Sequence, residues 1–446
     1  MIGLLLICLT AFLLLLGLLR RSRMSLGLPV AYLGSLLLFH VPGALAHAVS
    51  GDLLYGTPQT KIGFTYATIG TVCFVMGAWL SRSQAPTVHP MTKQDGLTFW
   101  LFCLFGGWAF IYILSPLHNI PSVGAVVDEA GAVWTLGVLL GLGDAFRRED
   151  LRSVTFWSGA LVVYPIVMLL LGGFLSYGSA AIIIATSALT ISARGYSRAM
   201  LGVGLAAFLG LSLFVNYFHH RDAIRQEVWG GAPLSDRIDS IEDMFMNFRL
   251  FDPTDPGQAE ALDARLNQNY FVGLAAERIE SGQAHYLYGR SIWQALEALV
   301  PRAIWPDKPV TAGSGDIVSE MTGLTLSSTT SWGVGNVMEF QINFGLIGVV
   351  FGFIGLGWLI GLLDMKAALA LRRGDFGQAI VFFLPAVALI DPQGSMVELA
   401  SGSASALIAG YGWKWLWENR RGRSVGRIFQ RHRPRAILAN VNRFRQ

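Results

Sequence analysis

Five lysine and arginine side chains lie within one polar segment of the chain, residues 265–309: Arg265, Arg278, Arg290, Arg302 and Lys308. The last four are the candidates for a binding site. A guanidinium fork offers parallel N–H groups to two phosphate oxygens at once, so this set favours a site for a phosphate or pyrophosphate group. The alternative interpretation is that each arginine pairs with a nearby acid, such as Glu277 or Glu297.

The stretch 301–309, PRAIWPDKP, would present two of these basic residues rigidly. Three prolines in nine residues fix the backbone just after a predicted helix ends. Trp305 and Trp293 suit the boundary between membrane and water, or could stack on a sugar ring. The stretch therefore predicts either a binding site for a lipid pyrophosphate or a turn that docks on the membrane and takes no part in catalysis.

Carboxylates in apolar runs are candidates for a general base, because an ionisable group is costly to keep inside a membrane. Glu339, which opens one apolar run, is the first candidate, and Asp128, within another, is the second. Each could act as a general base or hold a substrate hydroxyl, or could instead cap a helix or pair with an arginine. For Asp391 and Glu398 the sequence favours helix capping.

Other kinds of site are not indicated. The cysteines are scattered through apolar runs, and the histidines have no carboxylate at metal-ligand spacing, so we predict no metal. No Walker loop, HExxH or GxSxG motif occurs. Any reaction must therefore use an already activated substrate, and no cofactor is predicted.

Membrane helices must position these residues. Of the 446 residues, 53% are hydrophobic and only 14% are charged, against about 25% in an ordinary soluble domain. A spanning helix needs about 20 apolar residues. Eleven runs are candidates: 1–19, 26–48, 62–80, 96–117, 121–143, 155–175, 177–193, 199–217, 338–363, 376–391 and 396–417. The predicted fold is an all-α polytopic membrane protein with about 11 transmembrane helices.

The distribution of basic residues predicts the orientation. They concentrate in the connections that are cytoplasmic if the N-terminus lies outside and the C-terminus inside. The chain then divides into helices one to eight (1–217), an outside loop (218–337), helices nine to eleven (338–417) and a basic cytoplasmic tail (418–446). The tail should bind anionic lipids rather than nucleic acid.

The outside segment 218–337 is predicted to be ordered. It carries nine basic and sixteen acidic residues, and helical patterns follow Ser235, cover 257–281 up to Gly282, and cover 290–300 up to Pro301. Long ordered loops are usually functional, so we expect substrate binding in this segment.

The chain resembles Wzy-type O-antigen and oligosaccharide repeat-unit polymerases. The resemblance covers roughly 265–357 and rests on PRAIWPDKP at 301–309, WGVGN at 332–336 and the glycine-rich helix at 338–357. One departure is that this chain has a single large outside loop, whereas those polymerases often have two.

The resemblance implies a GT-C-like membrane glycosyltransferase at the outer face of the bacterial inner membrane. It would join undecaprenyl-pyrophosphate-linked oligosaccharides without metal or other cofactor, with the lipid pyrophosphate as leaving group. The four basic residues would hold the pyrophosphate, Glu339 or Asp128 would act as base, and a chain-length regulator would be a partner to look for. An O-antigen ligase and a polysaccharide transporter or flippase remain the alternatives.

Overall fold

The computed structural model describes residues 1–22, 24–49, 53, 55–82, 93–114, 116–117, 120, 123–173, 176–192, 195–300, 304–305, 307, 314–325 and 333–431. Every long regular element in these ranges is an α-helix, as the sequence predicts. In chain order the helices are α1 (Ile2–Ser22), α2 (Leu28–Val49), α3 (Thr57–Leu80), α4 (Lys93–Ile113), α5 (Val123–Gly131), α6 (Val133–Arg148), α7 (Leu151–Gly172), α8 (Ser176–Ser192), α9 (Tyr196–Trp229), α10 (Leu234–Met246), α11 (Pro256–Leu266), α12 (Gln268–Glu280), α13 (Arg290–Ala298), α14 (Ser314–Thr322), α15 (Asn336–Arg372), α16 (Phe376–Ala388) and α17 (Met396–Arg431).

Eight spans among the described residues are long and apolar enough to cross a membrane, so the chain is a polytopic membrane protein. They are Ile2–Ser22, Leu28–Val49, Thr57–Leu80, Gly96–Ile113, Val123–Arg148, Leu151–Gly172, Met200–Trp229 and Asn336–Arg372. Three of the eleven predicted crossings are not among them. Two coincide with the shorter apolar helices Ala180–Ile191 and Phe376–Ala388, and the third is the first part of α17.

The bundle has two ends, which we call the loop end and the tail end. The loop end is where α2 finishes at Val49 and α3 begins at Thr57, and the tail end is where α3 finishes at Leu80. At the tail end the buried Asp364 carboxylate accepts hydrogen bonds from Arg82 at 2.6 Å and from the Ser25 hydroxyl at 2.7 Å. These bonds tie α15 to the end of α3 and to the connection between α1 and α2.

Helices α11 and α12 form a hairpin that enters the bundle from the loop end. The close approach of α12 to α3 depends on two glycines, Gly63 and Gly273, where an added Cβ would overlap backbone of the other helix. Asp263 on α11 contacts His47 near the end of α2, and Asn269 at the hairpin tip contacts His40 deeper in α2. Part of the predicted outside loop is therefore wedged between membrane helices.

Helix α15 is two helices joined by a sharp reversal. Phe344 and Gly345 have non-helical backbone angles, and Gly345 has a φ of 59° that favours glycine. Residues 336–343 fold back on the long second part, because Phe340 packs on Gly352 and its ring lies 5.3 Å from that of Phe353. The first residues of α15 consequently lie well below the loop end.

Helices α16 and α17 form a second hairpin, which enters from the tail end. The Lys414 ammonium of α17 donates to the Gln378 side chain near the start of α16 at 2.8 Å, and Gly410 packs on Val381. Helix α16 has 13 residues, a length of about 20 Å, whereas the hydrocarbon core is about 30 Å thick. Hydropathy predicts two crossings here; α16 is shorter than this thickness, and the turn between α16 and α17 contacts Gly335 at the start of α15.

The two hairpins and the start of α15 meet around Gly335. The Gly335 amide donates to the Gln393 carbonyl in the turn between α16 and α17 at 3.0 Å, and the Gln268 side chain of the α11–α12 hairpin packs on Gly335. Asn336 accepts a hydrogen bond from the Tyr32 hydroxyl at 2.7 Å and donates to the Gly394 carbonyl at 2.9 Å. A layer of polar groups is thus buried between the two ends of the bundle.

Candidate active site

Glu339 lies in this buried layer, one turn into α15. Its side chain is fully buried, and one carboxylate oxygen accepts the Met396 amide at the start of α17 at 2.7 Å. The other oxygen, Oε1, is buried without a hydrogen-bond partner. A buried polar atom normally has a partner, so Oε1 is an atom with an unused capacity to accept a proton or a hydrogen bond.

The beginning of α17 supplies the amide that Glu339 binds. Free amides at a helix N-terminus favour negative charge, and α17 begins inside the protein, where water cannot satisfy them. Ser395 and Glu398 form a capping box, in which the Ser395 amide donates to Glu398 at 2.6 Å and the Glu398 amide donates to Ser395 at 3.2 Å. Glu398 therefore acts as a helix cap, while Glu339 binds the next amide.

The reversal in α15 is held by the helix that follows the α11–α12 hairpin. The Asn343 side chain donates to the Glu339 carbonyl at 2.7 Å and to the Ser291 hydroxyl of α13 at 2.8 Å. The Gly289 amide in turn donates to Asn343 at 2.9 Å. These bonds fix the short helix that carries Glu339 against the start of α13.

Arg278 and Arg290, two of the four predicted phosphate ligands, meet at α14. Arg290 forms an ion pair of 2.5 Å with Glu320, and the Arg278 guanidinium packs against Gly323 just after the helix. At the opposite end of α14, the Ser314 hydroxyl donates to Glu398 at 3.3 Å. Since α14 has nine residues, about 14 Å in length, it connects the arginines with the start of α17.

The remaining predicted ligands are distributed differently. Arg302 and Lys308 lie outside the described residues. Trp293 is 63% exposed, with its indole N–H donating to Glu297 on the same helix at 2.8 Å, and Trp305 is 38% exposed. Both tryptophans are accessible, as an interfacial anchor or a sugar platform requires. The basic tail is described as helix up to Arg431, and the part beyond it lies outside the described residues.

Asp128 and Glu339 lie on different helices. Asp128 is on the exposed face of α5, which packs mainly on α4 and α17, whereas Glu339 is on the first part of α15. Its neighbour Glu129 faces α17 at Gly402 instead. Asp391, in the turn between α16 and α17, has an exposed side chain that accepts the Gln393 amide at 3.3 Å.

A second polar network, missed from the sequence, fixes the α11–α12 hairpin. His47 bonds to Asp263 at 2.9 Å with both side chains fully buried, and Asp263 also accepts from Asn267 at 2.6 Å. Asn267 accepts from Asn269, which contacts His40 at 2.7 Å. The signal was present, because His40 and His47 are seven residues apart and therefore share one face of α2.

Fold and site together define an all-helical polytopic membrane protein with a buried polar layer formed by half-length helices. Among the described residues, no group of three or more His, Cys, Asp or Glu side chains has the arrangement of a metal site. Comparison with protein-family models, curated proteins and solved structures finds no match to this chain.

Proposed function

We propose that the protein is a membrane glycosyltransferase that polymerises lipid-pyrophosphate-linked oligosaccharide repeat units, as Wzy-type polymerases do. The observation that carries the proposal is Glu339, a fully buried carboxylate with one unpartnered oxygen, joined through α14 to two arginines nearer the loop end. A base and a phosphate-binding group are the two kinds of group that this transfer needs.

In the proposed reaction an acceptor sugar hydroxyl attacks the anomeric carbon of the donor. The new glycosidic C–O bond forms as the bond to the lipid pyrophosphate breaks, and Oε1 of Glu339 takes the hydroxyl proton. Negative charge grows on the leaving pyrophosphate, and fixed guanidinium groups stabilise it more in the transition state than in the ground state.

The ion pair of Arg290 suits this role. Arg290 and Glu320 are each about half exposed, and exposed ion pairs contribute only about 0–1 kcal/mol. Arg290 can therefore exchange Glu320 for a phosphate at low cost. Arg278 stays positioned by its contact with Gly323, where the φ of 72° favours glycine.

The test is a cell-free assay with purified protein in detergent and lipid-linked repeat units. A polymerase yields products of two or more repeats without ATP. If only single repeats remain with well-folded protein, the proposal is wrong. Products joined to a lipid A core acceptor, but never to another repeat, would identify a ligase.

Glu339→Gln keeps the side chain's shape and its bond to Met396 but removes the base. Loss of one base typically costs about 10²–10⁴ in rate. Glu280→Gln, at the exposed end of α12, is the matched control and should keep parental turnover. Turnover of Glu339→Gln within about threefold of the parent would exclude Glu339 as the base, and Asp128→Asn would be measured next.

A transporter is the second candidate, and one observation favours it. Half-length helices that meet inside the membrane form the substrate sites of many transporters, and here the start of α15 meets the α16–α17 hairpin inside the bundle. The two functions separate cleanly, because a polymerase works in detergent and a transporter needs a sealed vesicle. Translocation of lipid-linked repeats in proteoliposomes without chain extension would favour the transporter.

A further inference from the structure

A cavity lies at the tail end of the bundle, far along the chain from the elements that hold Glu339. It is lined by the beginning of α4, the last two turns of α6, and the first two turns of α7 with the residue that caps it. Its volume is about 450 Å³, within the range of about 300–1,000 Å³ that is usual for ligand pockets. We call it the tail-end cavity.

The packing of α4, α6 and α7 creates this cavity. Helix α4 begins after the end of α3, and only two residues separate the end of α6 from the start of α7, so all three lining segments lie at the tail end. Gly137 of α6 lies close to α4, because an added Cβ there would overlap the Trp100 carbonyl. Helix α6 packs on both α4 and α7 and therefore forms the floor, with the other two helices as walls.

The inner part of the tail-end cavity is aromatic. Trp100 lines it from α4 and Trp157 from α7, and both side chains are buried. Trp157 packs on Gly141 of α6, where an added Cβ would overlap the indole ring. Within the described ranges, neither indole N–H donates a hydrogen bond to another residue. A buried indole N–H usually has a partner, and a ligand with ester or phosphate oxygens would supply the missing acceptors.

The charged side chains of the tail-end cavity carry both signs. Arg148 pairs with Asp144 one turn before it at 2.6 Å, and Asp150 caps α7 by accepting the Arg152 amide at 3.1 Å and the Ser153 hydroxyl at 2.6 Å. The Arg148 side chain is 54% exposed, and exposed i,i+4 pairs contribute only about 0.3–0.5 kcal/mol. Arg148 can therefore turn to a ligand phosphate at low cost. Two carboxylates and one guanidinium line the cavity, so the charge of the lining favours a ligand that carries a cation as well as a phosphate.

The neighbouring side chains place the tail-end cavity at the surface of the membrane. Phe146, Leu151 and Phe156 are exposed beside it, and an apolar side chain that is exposed on a membrane helix faces lipid. Arg147 and Arg152 are exposed in the same turns. Basic residues concentrate where a helix leaves the hydrocarbon core, and aromatic residues often accompany them there. Lipid head groups therefore lie level with the cavity.

We propose that the tail-end cavity binds a phospholipid with a primary-amine head group, of which phosphatidylethanolamine is the simplest. The ammonium group donates to Asp144 and Asp150, the phosphate accepts from Arg148, and the ester oxygens lie towards Trp157. A primary ammonium has three N–H donors for carboxylates, whereas the trimethylammonium of phosphatidylcholine has none. The proposed site is separate from the Glu339 layer and does not depend on the polymerase reaction.

Binding can be measured by native mass spectrometry of the full chain in detergent. The probes are phosphatidylethanolamine, phosphatidylcholine and phosphatidylglycerol with the same acyl chains. Asp144→Asn and Asp150→Asn each remove one negative charge, and α7 keeps its cap because asparagine is as good an N-cap as aspartate. Asp375→Asn is the matched control: Asp375 caps α16 at the same end of the bundle by accepting the Gln378 amide at 3.1 Å, and it does not line the cavity.

We expect phosphatidylethanolamine to bind most tightly, followed by phosphatidylcholine and then phosphatidylglycerol. Asp144→Asn and Asp150→Asn should each weaken phosphatidylethanolamine binding about threefold, and the double variant about tenfold, whereas Asp375→Asn should bind like the parent. If phosphatidylcholine binds as tightly as phosphatidylethanolamine, the carboxylates do not recognise a primary ammonium and the proposal is wrong. Equal or tighter binding of phosphatidylglycerol would show that the flanking arginines attract anionic lipids and would also overturn it.

The unfolding temperature in detergent provides a second measurement that separates binding from folding. A ligand that binds only the folded state raises this temperature, so phosphatidylethanolamine should stabilise the parent and Asp375→Asn more than it stabilises Asp144→Asn. Without lipid, Asp144→Asn should unfold at the parental temperature, because it removes only one exposed ion pair. Equal stabilisation of the parent and Asp144→Asn by the lipid would contradict the proposed site.

Discussion

The contact between α3 and α12 can be tested by adding a single methyl group. Gly63 of α3 faces the Asn269 carbonyl, and Gly273 of α12 faces the Gln59 carbonyl. In Gly63→Ala or Gly273→Ala the new Cβ overlaps the facing backbone, whereas ordinary contacts begin at 3.4 Å. The helices must therefore separate by an amount on the order of 1 Å, because neither partner atom belongs to a flexible side chain.

The size of the effect follows from this displacement. Overpacking of this kind costs about 1–3 kcal/mol. Helix α12 carries Arg278, and a misplacement of about 1 Å in catalytic geometry can cost about 10²-fold in rate. We therefore expect a modest fall in the apparent unfolding temperature in detergent and a much larger fall in polymer yield.

Gly355→Ala is the matched control, because an added Cβ at Gly355 meets nothing within 4 Å. Alanine is also the better helix former by up to about 1 kcal/mol, so this variant should be as stable and as active as the parent. If Gly63→Ala and Gly273→Ala behave like Gly355→Ala in both assays, α12 does not pack on α3 as described. If the two variants unfold at a lower temperature but the parent protein itself shows no polymerase activity, only the proposed function is refuted, and the packing of α12 on α3 stands.

Three further outcomes are expected. Asp364→Leu leaves the Arg82 guanidinium buried without its carboxylate and should cost about 3–5 kcal/mol of unfolding free energy. Adding Arg82→Met to the same chain should restore most of this free energy. If the double variant instead loses the sum of the two single losses, Arg82 and Asp364 do not form an ion pair. Gly323→Ala forces a side chain into the space of the Arg278 guanidinium and should lower polymer yield more than Glu280→Gln does. Equal polymer yields from the two variants would show that Arg278 does not bind the pyrophosphate. Reporters inserted after Gly282 and at the C-terminus should give outside and inside signals, and matching signals would refute the orientation.

Hydrophobic runs predicted most of the helices because a run of apolar residues is sufficient to specify one. They could not predict where α15 reverses. Gly345 is one of many glycines in an apolar run, and its positive φ matters only because Phe340 packs back on Gly352. Long-range packing of this kind leaves no local pattern in a sequence.

The candidate site was predictable in part. Glu339 stands out as an acid at the start of an apolar run, but its contact with Met396 joins residues 57 positions apart. Asp128 is the second candidate in the sequence, and helical phase places it on the exposed face of α5. The capping role of Glu398 follows from a local S-x-x-E pattern, and for that reason it could be recognised from sequence alone.

The hairpin of α16 and α17 has a consequence for how the protein is made. Glu339 accepts its hydrogen bond from the Met396 amide, and the Gly335 amide donates to the carbonyl of Gln393. Both partners leave the ribosome after the eight long spans of the described residues have been synthesised. The surroundings of Glu339 are thus completed only after those spans, so a chain that stops before Gln393 retains all eight of them and lacks the groups that bond to Glu339 and Gly335.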